Sequence, residues 1–130
     1  MKIRKLLLGL SLALVGLSAQ AGHSRVDYAA YAGDPIPQFK FSKLYNWQRT
    51  GDRTMVLWTK PSTAYLLTLR NNCDALSGRA TVQIGGVDGI EGRLQAGSGD
   101  IIVGQLRCRV IAIQPLDLVR LKADRGVAKR

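Results

Sequence analysis

Few side chains in this sequence could do chemistry. A Ser-His-Asp or Cys-His site needs a histidine held by a rigid scaffold. The sole histidine, His23, precedes every recognisable element of the chain. Ser98 lies in Ala-Gly-Ser-Gly, which lacks both the G-x-S-x-G spacing and the strand-to-helix context of a nucleophile elbow. Zinc asks for three or four His, Cys or carboxylate ligands, and one such histidine with two cysteines is too small a set. Asp88, Glu91 and Asp100 border a glycine-rich stretch, but not at EF-hand spacing, so they read as surface carboxylates that keep a loop solvated. Glu91 is the only glutamate. Asp52, Asp74 and Asp117 read as turn, cap and helix-start residues, which leaves no acid/base pair of the glycosidase kind. Gly97-Ser98-Gly99 is followed by Asp100, which would repel a phosphate, and no P-loop motif occurs. The expectation is a chain with no catalytic residues, no metal and no cofactor.

Two groups of binding residues stand out instead. Trp58 and Tyr65 could offer a stacking surface, although aromatics on alternating strands of a small domain usually fill its core. Arg107 and Arg109 flank Cys108 and should face outward, where Arg70 could join them as a basic patch for an anionic partner. A solvated sheet face explains the same arginines without a ligand.

The cysteines belong to a question of compartment. Residues 1–21 carry a basic head (Lys2, Arg4, Lys5), the apolar run Leu6 to Leu17 and an Ala-Gln-Ala ending, the layout of a secretory signal peptide cleaved after Ala21. The run is shorter than the ~20 residues of a membrane span. Gly22, not Cys, follows the cleavage point, so a lipoprotein-type acylation site is missing and a soluble periplasmic or secreted protein is expected. In such a compartment Cys73 and Cys108 most simply form one disulfide, and there is no C-x-x-C spacing to suggest redox work. Cleavage leaves 109 residues with 16 Lys and Arg against 9 Asp and Glu, a formal charge of +7. That balance favours anionic surfaces in general, but the cations are scattered and no specific nucleic-acid site is expected.

The elements that would position these residues are mainly strands. Thr54 to Cys73 reads as a β-hairpin turning at Pro61, with the second strand buried mainly on one face. Alternation from Leu44 to Arg49 adds a strand before it, through a turn at Gly51-Asp52-Arg53. Asn71 or Asn72 could cap a helical turn through Leu76 that ends at Gly78. Arg79 to Gly85 is a strand with Ala80, Val82 and Ile84 inward, and a short strand is expected near Glu91 to Gln95. Ile101 to Ile113 reads as one long strand with Ile102, Leu106, Cys108 and Val110 inward. Pro115 ends it, and a terminal helical turn over Leu116 to Lys122 follows. The resulting layout is an extended arm over 22–43 whose aromatics pack on the body, a single disulfide-linked β domain over 44–123, and a frayed basic tail over 124–130. The fold class is mainly β, a small antiparallel barrel or sandwich of about six strands with one or two short helical turns. An α+β arrangement with the last helix covering the sheet is the alternative.

Tyr31-Ala32-Gly33 with Pro35, Trp47, the VLWTKPSTAYLLTL segment with Cys73 and Leu76, and the closing Cys108, Ile111, Ile113, Pro115 and Asp117 together resemble an uncharacterised family. Its members are small exported proteins and lipoproteins of Gram-negative bacteria. The resemblance implies a compact, disulfide-linked envelope domain and brings no activity with it. The expected function is therefore a non-enzymatic envelope protein with a structural or partner-binding role, its partner an envelope protein or an anionic polymer. The alternative is a binder of a small ligand or anionic envelope polymer through the basic sheet face.

Overall fold

The computed structural model describes residues 26–77, 80–86 and 92–128. Residues 1–21, expected as a signal peptide, and His23, Gly78, Arg79, Asp88 and Glu91 lie outside them.

The hairpin at the centre of the sequence is the centre of the fold. β3 (Thr54–Lys60) and β4 (Thr63–Leu69) pair around Pro61 and Ser62, and β2 (Asn46–Arg49) adds to β3 to complete a meander. The chain then crosses to the far edge, β5 (Val82–Gly86), and returns through β7 (Gly99–Val103) and β8 (Leu106–Pro115). β8 closes the sheet by pairing with both β4 and β7, giving the order β2-β3-β4-β8-β7-β5, antiparallel throughout. This six-stranded sheet curls into a half-barrel. β1 (Gln38–Lys40) and β6 (Arg93–Gln95) form a separate two-stranded sheet. The fold is mainly β, as the alternation predicts.

Both faces of the central hairpin are buried. On the inner face Met55, Leu57, Leu67, Leu69, Val110 and Ile113 pack with Ile101 and with Phe39 and Leu94 of the small sheet. The Phe39 ring stacks on Tyr65 with centroids 4.0 Å apart. On the outer face Val56, Ala64 and Leu66 are covered by Tyr28 and Leu121. One-sided burial of β4 is therefore corrected. The uninterrupted apolar runs Met55-Val56-Leu57 and Leu66-Leu67 are what a strand covered on both sides requires.

The outer cover comes from a 3-10 turn, Tyr28–Tyr31, and a helix, α1 (Leu118–Ala128). Asp117 caps the helix, its carboxylate accepting the Arg120 N–H at 3.0 Å. Leu118 and Leu121, three apart, place one stripe on the sheet. The helix thus runs well past Lys122, and Asp124 is held rather than frayed because the Tyr31 hydroxyl donates to it at 2.7 Å. Arg120 lies 4.8 Å from the centre of the same Tyr31 ring and donates to the Ala30 carbonyl. The arm likewise has structure of its own: the 3-10 turn, β1, and hydrogen bonds from Gly33 and Ile36 to β8.

The hydrogen bond to Asp124 is the first cause holding the Tyr31 phenol above the usual tyrosine range. A raised folded pKa means that the contribution is complete below the ordinary tyrosine pKa of about 10 and is lost as pH rises through the folded value. Burial holds Tyr28 above that range as well, so ultraviolet titration should show two tyrosines that ionise later than a solvent-exposed one, and Asp124→Asn should bring one of them down. A titration curve unchanged by Asp124→Asn would refute the coupling.

Ile101 to Ile113 is two strands, because Gly104 (φ +65°) and Gln105 make a two-residue hairpin turn between Val103 and Leu106. A positive φ at this position is what such turns demand and glycine supplies it freely. The turn resets the register. Ile101 and Val103 point inward, Ile102 stands beside Arg107 on the outer face, and Leu106 is exposed. Cys108 and Val110 keep their inward positions. The segment expected as a capped helical turn is a simple turn instead, closed by the Leu76 N–H on the Cys73 carbonyl at 3.0 Å.

Cys73 and Cys108 form a disulfide, with Cα atoms 6.0 Å apart and both residues buried. It ties the crossover that leaves β4 to the start of β8.

Candidate functional site

The five residues singled out for binding separate into three places. Arg70, Arg107 and Arg109 gather on the outer face where β4, β8 and β7 meet, the Arg70 N–H donating to the Arg109 carbonyl. Trp58 is half-buried under the 3-10 turn, edge-on to Tyr28 with centroids 6.0 Å apart. Tyr65 is on the opposite face, against Phe39.

The arginine face is not a free basic patch. Asp100 lies across from Arg109 in the β7–β8 register, and its side chain is only 6% exposed. Arg109 Nε donates to Asp100 Oδ1 at 2.7 Å and Arg107 Nη1 to Oδ2 at 3.3 Å. Arg109 also donates to the Gly97 carbonyl at 2.9 Å, while the Gly97 N–H donates to Val110, so this arginine fastens the β6–β7 turn to β8. Gly85 stands opposite Asp100 on β5, and a side chain there would run into Ile102 and Arg107. Asp100 is thus corrected from a solvated surface carboxylate to the buried counter-ion of two guanidiniums. Burying a carboxylate costs several kcal/mol unless it is paired, which explains why two outward arginines converge on it. Arg70 remains exposed beside the pair.

Ser98 donates to Gln95 Oε1 at 3.1 Å, and Gln95 donates to Gln38 Oε1 at 3.0 Å. The serine belongs to the turn between β6 and β7 and joins the small sheet to it.

Two open grooves are formed by the described residues. One, about 400 Å³, lies beside the edge strand β2, lined by Asn46, Trp47, Arg49, Leu76 and Ala80. Arg49 is already committed there, to Asn72 and, at 3.5 Å, to Asp74. The other, about 470 Å³, lies between the segment that follows β1, the end of β3 and Gly92. Among the described residues its walls are Lys40, Phe41, Ser42, Lys43, Thr59, Lys60 and Gly92, three cations and no carboxylate. The Phe41 N–H donates to the Gly92 carbonyl at 2.9 Å and holds the two sides together. Lys40 is also directly opposite Arg93 in the β1–β6 pair. Among the described residues the ion pairs use Arg49, Arg107 and Arg109, and none involves these lysines or Arg93. The sequence reading missed this group: Lys40 and Lys43 come from an arm with little periodicity, and Lys60 from a hairpin turn. The only hint was the lack of acidic residues from Phe39 to Asn46.

A family model matches residues 1–130. The chain belongs to the family of unknown function DUF6491. No curated protein and no solved structure matches it. For a DUF6491 member the site must therefore be argued from its own geometry. That geometry offers fixed charge: an arginine face compensated by Asp100 and a lysine groove with no carboxylate among its described residues. No helix among the described residues is long and apolar enough to cross a membrane.

Proposed function

We propose that this DUF6491 chain is an exported, disulfide-locked envelope domain that binds an anionic partner by charge and performs no covalent chemistry. The observation that carries the reading is the contrast between its two cationic regions. Arg107 and Arg109 spend their charge on Asp100, whereas Lys40, Lys43 and Lys60 share a groove with no carboxylate among the described residues that line it. Like charges held close cost stability, by up to about 1 kcal/mol for a directly opposed pair such as Lys40 and Arg93. An anion relieves that repulsion. The partner is an anionic envelope polymer or the acidic surface of an envelope protein. Export is supported by the basic head, apolar run and Ala-Gln-Ala ending of residues 1–21, and by a disulfide that an oxidising compartment preserves.

Both halves of the reading can be tested on protein from the native host. Mass spectrometry of the periplasmic or secreted fraction should find a chain beginning at Gly22, whereas a cytosolic pool that retains Met1 would refute export. The exported protein should be retained on an immobilised polyanion at ~0.15 M salt and released as salt rises. Elution with neutral proteins at that ionic strength would refute anion binding.

A further inference from the structure

We propose that the lysine groove is a specific site for a phosphate-bearing group. This deepens the charge-based reading above and rests on it. Three features of the groove point to phosphate rather than to anions in general. Its charges are lysines, which act as compact point charges that can converge on a tetrahedral oxyanion, while planar carboxylates are better matched by the guanidinium fork of arginine. The lysines come from two sides: Lys40 and Lys43 flank the segment after β1, and Lys60 closes β3 at the hairpin turn. Thr59, largely buried, and Ser42 add hydroxyls that can donate to phosphate oxygens between those cations.

The size of the groove narrows the ligand further. About 470 Å³ falls within the ~300–1,000 Å³ usual for sites that hold small organic molecules. A bare phosphate would leave much of it empty, and Phe41 offers an apolar wall for whatever carries the phosphate. The walls are positioned by backbone: β3 fixes Thr59 and Lys60, and the hydrogen bond between Phe41 and Gly92 fixes the other rim. The phosphate could be carried by a lipid headgroup or by a soluble molecule, and the chemistry recognised is the same.

The test uses the full exported chain, isotope-labelled, with two probes: inorganic pyrophosphate in solution, and phosphatidylcholine vesicles containing phosphatidic acid. Pyrophosphate should shift the amide resonances of Phe41, Ser42, Lys43 and Gly92 before any others. The Lys43→Gln/Lys60→Gln variant should weaken pyrophosphate binding about tenfold or more, and Arg70→Gln less than about twofold. Vesicle binding that pyrophosphate competes away and that needs Lys43 and Lys60 would assign the phosphate to a lipid. Pyrophosphate binding without vesicle binding would assign it to a soluble carrier. Both support the site. All these lysines are exposed, so the variants should melt as the wild type does; single Lys43→Gln and Lys60→Gln variants, each weaker than the wild type, serve if the double variant does not fold. Equal losses in Arg70→Gln and the lysine variants, or shifts spread over the whole surface, would overturn the groove while leaving general anion binding intact. Retention on a polyanion that survives Lys43→Gln/Lys60→Gln unchanged would do the same. No binding of either probe and no polyanion retention would overturn both readings.

Discussion

Cys108→Ser is expected to destabilise the domain by about 2–5 kcal/mol. The bond spans 35 residues of sequence, and the chain-entropy account assigns a loop of that size roughly 4 kcal/mol. The structure adds a packing reason. Cys73 and Cys108 are members of the inner core, so a serine would place a hydroxyl among Leu76, Leu69 and Val110 with the neighbouring half-cystine left unpaired. The crossover from β4 to β5 is fastened to the sheet through this bond, and Leu76, which is also deeply buried, would lose its anchor. Small domains have only about 5–15 kcal/mol in total, so the variant should melt on the order of 10–20 °C lower. Thermal melts of oxidised wild type and Cys108→Ser, with thiol labelling before and after reduction, provide the measurement. Two thiols that label freely in the native protein, or a melting temperature within a few degrees of wild type, would count against a structural role.

The fold was legible where local pattern and burial agreed. Trp47, Leu57 and Leu67 fall on one face by simple alternation, and Pro61 marks the turn that the hairpin makes. Cys108 and Val110 are inward by the same rule, which put Arg107 and Arg109 outward. The failures have physical causes. Gln105 fits an outward position of one alternating strand, so the turn at Gly104-Gln105 was hidden, and with it the register that brings Asp100 to Arg109. Met55-Val56-Leu57 reads the same whether its second face is covered by a helix or by another sheet, and only the docking of Leu121 decides. α1 looked like a single turn because its polar residues have no periodic partner; Tyr31, far away in sequence, supplies the contact to Asp124. The lysine groove joins three segments that no local rule links. Its members could be seen in the sequence only as scattered charge.

Arg109→Met is expected to cost about 2–4 kcal/mol, and Arg107→Met less than about 1 kcal/mol. The two arginines look equivalent in sequence, since both face outward beside Cys108, but their surroundings differ. Arg107 is 60% exposed and holds Asp100 at 3.3 Å, so solvent screens the pair and replaces most of what is lost. Arg109 is 28% exposed, approaches Asp100 at 2.7 Å and also satisfies the Gly97 carbonyl. Methionine keeps the apolar stem and removes both bonds, leaving a carboxylate that is 6% exposed with its weaker partner alone. Breaking a buried pair from one side is costly because the remaining charge stays desolvated. The partial exposure of Arg109 and the survival of Arg107 place the figure at the lower part of that range. Removing the stranded charge should restore stability: Asp100→Asn in the Arg109→Met background should be less harmful than the sum of the two single changes, with a coupling of about 1 kcal/mol or more. Urea denaturation with an unchanged slope would give these differences directly. Equal losses for Arg107→Met and Arg109→Met, or strictly additive effects with Asp100→Asn, would show that the outer-face charges are independent. Such a result would return them to the pool of free cations available to an anionic partner.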